Sequence, residues 1–351
     1  MRYGGTIAPD DRGRGAPERV SDTTLQCPRC FFDALRPDAR FCPHCGLRDP
    51  VEAAADTSPL DVTSGGRTYQ VLDRIAVGSV CTVYRCRFAF GLKGVEGVFK
   101  IARDARSNAL VANEADVLRT LHASEGARRF APFLPEVEAS LSLRDGASGP
   151  SRRANVLKTC DEIHSPDELY TLAEVRAAYP GGLDGGDVAW VWRRLLNVLG
   201  FAHSRGVVHA AVLPVHVLVE PREHKLVLVD WCSAAARGGR GLAVVTGPYR
   251  EWYRRQGSLR APPTPGLDVS LGARCMVELL GGDPLRAEFP PAVDPALRRY
   301  FGRCVEAGSS GNRADAWKLL DDFDRLIEAL WGPRQFKKFA MPPKPTGARK
   351  G

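Results

Sequence analysis

The chain has 351 residues, 44% of them hydrophobic and 26% charged, the composition of a soluble globular protein with room for one large domain and one small one. No apolar run reaches the ~18 residues that a membrane-spanning helix needs, and the polar first 25 residues carry no secretory signal, which points to the cytoplasm. Of the net charge of +8, Arg334, Lys337, Lys338, Lys344, Arg349 and Lys350 supply six, so the rest is nearly neutral and argues against a broad nucleic-acid-tracking surface.

Residues 1–25, with their Gly, Pro, Arg and Asp, are expected to be flexible. Residues 26–47 contain Cys27-Pro-Arg-Cys30 and, after eleven residues, Cys42-Pro-His-Cys45-Gly46. Two residues between thiolates let a tight turn aim both sulfurs at one ion, and a second such turn completes a tetrahedral site. This predicts a structural zinc ribbon on Cys27, Cys30, Cys42 and Cys45, with His44 as a minor alternative ligand. A module of this size buries little core, so zinc would supply most of its stability. The other six cysteines show no spacing pattern and read as reduced, buried residues. Residues 48–66, rich in small residues and turn formers, read as a linker.

Residues 67–331 form the large domain. Tyr69–Ile75 and Val83–Phe88 alternate apolar and polar residues as half-buried strands do. Gly78 lies between them in a turn that brings backbone close to whatever sits beneath it. Lys100 interrupts the apolar stretch 97–102; taken alone it reads as a surface lysine on an edge strand. Glu114, Leu118 and Leu121 share one face of the next helix, with Asp116 the competing acid. Residues 155–160 predict a further strand, 187–203 an amphipathic helix and 225–229 a buried strand that leads into Asp230. Residues 332–351 form a basic tail. It is read either as a solvated end or as a surface for acidic partners, nucleic acid or anionic lipid.

His209, Pro214, Val217, Leu218 and Asp230 stand where the catalytic and metal-binding loops of protein kinases have them (His-Arg-Asp-Leu-Lys-Pro-x-Asn-[Ile/Val]-Leu, then Asp-Phe-Gly), and the stretch resembles that family. The resemblance spans about residues 68–330 and implies an α+β, bilobal protein kinase-like fold preceded by the zinc ribbon. It makes Gly78 the surviving middle glycine of the phosphate loop, with Ala76 and Cys81 in place of the outer two. Lys100 becomes the phosphate-binding lysine, Glu114 its partner and Asp230 a magnesium ligand, or else a structural cap. Asp268 becomes the anchor of the catalytic-loop backbone, and His209 a packed core residue. Residues 245–249 resemble the end of an activation segment, and Arg313 the arginine that in the family pairs with a nearby acid, here either Glu251 or none.

The chemistry departs from that pattern. Ala211 replaces the base, whose contribution is typically ~10²–10⁴-fold in rate. Leu213 replaces the phosphate-facing lysine, and His216 the metal-binding asparagine, where Mg²⁺ prefers oxygen. The resemblance therefore implies a pseudokinase, a signalling or scaffold protein that binds protein partners and, through Gly78, Lys100, Glu114 and Asp230, ATP with magnesium. The alternative is an active transferase in which Lys100 and Asp230 carry phosphoryl or nucleotidyl transfer by positioning and electrostatics. Nucleic-acid binding through the ribbon and tail is the least favoured reading. A zinc ribbon joined to such a domain is similar to bacterial kinase-like proteins linked to stress and phosphatase systems.

Overall fold

The computed structural model describes residues 36, 38–42, 60–90, 93–144, 150–158, 168–236, 249–254, 261–308 and 314–342. The chain divides between Thr57 and Ser58 into two units. In the first, Cys42 is described and buried; Cys27, Cys30, His44 and Cys45 lie outside the described residues, as do residues 245–248, Arg313 and the tail beyond 342.

The second unit begins with a six-stranded antiparallel sheet in the order β1-β2-β3-β4-β6-β5. β1 is Leu60–Ser64 and β2 Arg67–Val77, joined by the two-residue turn Gly65-Gly66. Both glycines have positive φ, +57° and +76°, which only glycine adopts without strain and which matches the twist of a tight hairpin. The sheet thus starts inside the segment read as linker. Its small residues concealed the alternation of Leu60 and Val62 before the Gly-Gly turn. β3 (Cys81–Phe90) and β4 (Lys93–Ala102) continue the meander, and β6 (Ser151–Lys158) pairs with both β4 and β5 (Glu136–Arg144). Period-two alternation along β4 sends Phe99 and Ile101, both fully buried, to one face and Lys100 to the other.

Helix α1 (Asn108–Ala123) packs across β5 and β6. Its buried residues Val111, Glu114, Ala115, Leu118 and Leu121 form a single stripe at helical period, so packing the apolar face carries Glu114 inward with it. The preceding turn is held by Asp104, whose carboxylate accepts from the Ser107 amide at 3.1 Å.

The remainder is mainly helical. α2 (Gly185–Ser204) starts at Asp184, which accepts from the amides of Gly186 and Asp187. α3 (Pro265–Leu279) begins with Thr264 as cap and Pro265 in the first turn, and nearly every residue in it is buried. α4 (Pro295–Glu306) and α5 (Ala316–Trp331) follow, capped by Asp294 and Asp315. α5 crosses α2 closely: a Cβ on Gly200 would come 2.5 Å from the Trp317 ring. Among these helices run short strands. β7 (Tyr170–Thr171), β9 (Val217–Glu220) and β10 (Lys225–Leu228) form one sheet, and β8 (Val207–Val208) pairs with β11 (Ala235–Ala236). The turns after β8 and β10 carry the candidate site.

The start of the basic tail is mostly exposed but is anchored at Phe339. Phe339 is buried against Tyr179 and Trp190, and the Tyr179 hydroxyl donates to the Ala340 carbonyl. His224 stacks between Trp190 and Phe336 at 4.3 and 4.5 Å. Lys337 pairs with Asp184 and Asp187 at the start of α2, where a lysine offsets two acids that burial brings together. Phe339 decides the outcome: its apolar area is covered only by lying on the helices, while Phe336 stays largely exposed beside His224.

Candidate functional site

Lys100 projects from β4 and Glu114 from α1, and they meet as an ion pair at 2.8 Å. The pair is almost dry, with side-chain exposures of 7% and 0%. The other Glu114 oxygen accepts from Asn155 Nδ2 at 3.1 Å, and the same amide donates to the Val111 carbonyl at 2.8 Å. Asn155 lies on β6 directly opposite Lys100 in the sheet register. Asp116 points outward and pairs with Arg119, so it does not compete for the lysine. Asn155 was missed in the sequence. Its only signal is a polar residue inside the apolar run 154–157.

Asp230 reaches the same lysine from the turn after β10. Its backbone is left-handed (φ 65°, ψ 58°), which swings the carboxylate toward β4, and Oδ1 lies 2.5 Å from Lys100 Nζ. Oδ2 lies 3.0 Å from His216 Nε2, and His216 Nδ1 lies 2.8 Å from the Ala211 carbonyl oxygen. A carbonyl and a carboxylate only accept hydrogen bonds, so both ring nitrogens must donate and His216 is an imidazolium. Burial works against that charge, but the Asp230 carboxylate and the Ala211 carbonyl outweigh it and hold the His216 pKa above its ordinary value. Burial likewise opposes the ammonium of Lys100, and Asp230 with Glu114 overcomes it and raises that pKa well above the usual. Asp230 is held well below the usual carboxylate range, because Lys100 and His216 outweigh the effect of its burial. The four side chains form a chain of alternating charge, Glu114–Lys100–Asp230–His216, with no net charge.

His209 is the opposite case. It is fully buried, its Nε2 donates to the Val229 carbonyl at 3.0 Å, and its Nδ1 accepts from the Ala211 amide at 3.2 Å. One donor and one acceptor fix the neutral imidazole. Burial, with the nearby His216 charge, pushes its pKa down to about 4. The ring meets Trp231 edge-to-face at 4.5 Å within the main core. Asp268, also fully buried, accepts from the amides of His209 and Ala210 at 2.8 and 2.7 Å and from His203 Nε2 at 2.9 Å. That grip, with Tyr253 donating to the Ala210 carbonyl, holds Ala210 at φ 65°, outside ordinary alanine geometry. Ala211 and Leu213 are buried in the apolar core around the loop.

A pH dependence follows from His209. The unfolded chain binds a proton below pH ~6.5 that the native ring refuses down to about 4, so native stability falls as pH drops through this window, by up to ~1.4 kcal/mol per pH unit. His216, whose folded pKa is raised, works in the opposite sense around and above pH ~6.5, where the native ring holds a proton that the unfolded one gives up, and it adds no slope well below that. Urea unfolding at pH 6, 5.5 and 5, where His216 is protonated in both states, should show this slope, reduced in His209→Phe.

Gly78 sits in an exposed turn between β2 and β3, its amide donating to the Cys81 carbonyl at 2.8 Å. Cys81 closes that turn and is buried in one apolar cluster with Cys232, Val111 and Ala102. Cys232 follows Trp231 after Asp230, so a thiol stands at each of two places where the sequence pattern asks for glycine. This pairing was not visible in the sequence, where both cysteines read as buried and only Cys81 is placed against a glycine of the pattern. Asn113 of α1 ties the same turn in place by donating to the carbonyls of Cys232 and Ala234 at 3.1 and 2.8 Å. Ligand atoms of Glu114, Asp230 and Cys232 lie within 4.8 Å of one another.

A solved structure of the BubR1 kinase domain matches with a TM-score of 0.56 over 78% of this chain and 84% of that one, at 15% identity. The chain has a protein kinase-like fold. No protein-family model matches it. Among curated proteins, casein kinase II subunit alpha' of Saccharomyces cerevisiae is 40% identical over 45 residues, and the match spans only 13% of each protein. In kinase terms, the strand lysine, the helix glutamate and the aspartate after β10 come together at one point, and Ala211 stands on the loop that faces them. No helix among the described residues is long and apolar enough to cross a membrane.

Proposed function

We propose that the protein is a pseudokinase: a kinase-fold scaffold that binds protein partners, takes a nucleotide at Lys100 and does not transfer its phosphate. The kinase-like fold suggests ATP and magnesium as ligands. The observation that carries the loss of transfer is the pairing at the loop. Ala211 offers no side-chain base, and the neighbouring imidazole that could have replaced one already holds both its protons, facing Ala211 and Asp230. Leu213, buried, supplies no cation for the charge that develops on a phosphoryl group. The zinc ribbon on Cys27, Cys30, Cys42 and Cys45 belongs to the same reading as a structural module for protein contact, supported by the cysteine spacing.

The retained contact of Lys100 with both Glu114 and Asp230 favours one second reading, nucleotidyl or phosphoryl transfer by positioning alone. Intact-mass analysis of the full chain after incubation with Mg·ATP and a generic protein substrate separates the two. The expected spectra show no added phosphate and no AMP on either protein, with Asp230→Ala indistinguishable from wild type. An adduct that Asp230→Ala abolishes would replace the pseudokinase by a transferase. Under native conditions the same chain should carry one zinc ion, and a metal-free chain would remove the ribbon.

A further inference from the structure

A kinase fold brings its nucleotide in with Mg²⁺, an ion that takes oxygen ligands in near-octahedral array. The side chains that would have to hold it here do not fit. Both Asp230 oxygens already face a cationic group, Oδ1 Lys100 and Oδ2 His216, so a metal ion there would meet like charge. Both Glu114 oxygens are taken, one by Lys100 and one by Asn155. His216, in the place of the metal-binding asparagine, turns a proton toward the site instead of a lone pair. Cys232, the remaining ligand atom in the cluster, is a soft donor poorly matched to Mg²⁺.

We propose that the His216 side chain stands in for the divalent cation of the kinase fold, so that the site receives the phosphates of a nucleoside triphosphate without a protein-bound metal. His216 lies against the same carboxylate that a metal would occupy, and with the Ala211 carbonyl at its other nitrogen it presents an N–H there from a ring that is covalently part of the chain. With Asp230 neutralised in this way, its negative charge no longer repels a polyphosphate. Lys100 has three N–H donors; Glu114 and Asp230 take two, and the third is left for phosphate oxygen. The position is built rather than accidental. His216 is fixed at one nitrogen by the Ala211 carbonyl, and Asp230 is aimed at it by a left-handed backbone.

The phosphate part of this inference rests on the nucleotide reading above, and the replacement of the metal does not. Two measurements on the full chain keep them apart. The first is binding of Mn²⁺ alone, followed by the loss of its free-ion electron paramagnetic resonance signal. Wild type should leave the signal unchanged at millimolar metal, and His216→Asn, which frees Asp230 Oδ2 and supplies an oxygen, should reduce it. Binding of Mn²⁺ by wild type as strong as by the variant would overturn the replacement, and so would a folded His216→Asn that binds none. The second uses wild type only, so it stands even where the variant fails to fold. Thermal unfolding with ATP in EDTA should show a stabilising shift at least as large as with ATP and Mg²⁺. A shift that requires Mg²⁺ would overturn the proposal. No shift in either buffer would remove the nucleotide reading with the phosphate part of the inference, and leave the Mn²⁺ result to decide the rest.

Discussion

Asp268→Ala should cost about 3–5 kcal/mol of folding stability, the range for removing one partner of a buried charged group. The carboxylate accepts three hydrogen bonds and has no exposure to water. Its loss would strand the amides of His209 and Ala210 and the ring nitrogen of His203 in the core. The amide bonds also hold Ala210 at positive φ, a conformation that costs of order 1–3 kcal/mol for a residue other than glycine. Once released, Ala210 has no reason to stay there, and the following turn would carry the Ala211 carbonyl away from His216. Asp268→Asn keeps acceptor oxygen but places an amide group against a donor, so its cost should fall between wild type and alanine. Urea unfolding of the three proteins measures the series, and the alanine variant should melt roughly 10 °C lower. A loss under ~1 kcal/mol would show that the turn at His209–Ala211 is held by its own packing and does not need Asp268.

The sequence exposes the parts of this site in which position along one element determines direction. Lys100 alternates out of β4 away from Phe99 and Ile101, and Glu114 falls on the stripe of Leu118 and Leu121; periodicity gives each its direction, while the choice of the two as a pair came from the family resemblance. His209 and Asp268 were legible through motif order alone. What was not legible is the partner of each polar group once elements cross. Asn155 meets Glu114 from 41 residues away, and Asn113 reaches the Cys232 carbonyl across 119. His216 is the sharpest case. Its sequence position suggests a poor metal ligand, and only the left-handed backbone at Asp230 and the carbonyl of Ala211 turn it into a cation. β1 was lost for a different reason: small polar residues and a Gly-Gly pair are common to linkers and hairpins, and register against β2 distinguishes them. The tail shows the reverse error, in which basic charge masked Phe339 as a residue that seeks cover.

Lys100→Met should also cost about 3–5 kcal/mol, and the reason identifies which carboxylate depends on the lysine. Asp230 keeps His216 at 3.0 Å and is partly exposed, so it loses one of two cations. Glu114 has no exposure, and Asn155 alone would remain to face its charge. The penalty is therefore expected to sit on Glu114. Glu114→Gln by itself should be destabilising, because Lys100 loses an anionic partner. Combined with Lys100→Met it should recover part of the stability lost by the lysine change, since the introduced glutamine can still accept from Asn155 and carries no charge to bury. A double-mutant cycle from urea unfolding reads this directly, with the double variant more stable than Lys100→Met. Thermal stabilisation by ATP should be absent from both, because neither retains the ammonium. Recovery of stability without recovery of the ATP shift would separate the two roles of Lys100, neutralising Glu114 and meeting phosphate. A double variant less stable than Lys100→Met would place the buried charge on Asp230 instead, and with it the claim that His216 alone can neutralise that carboxylate would fall.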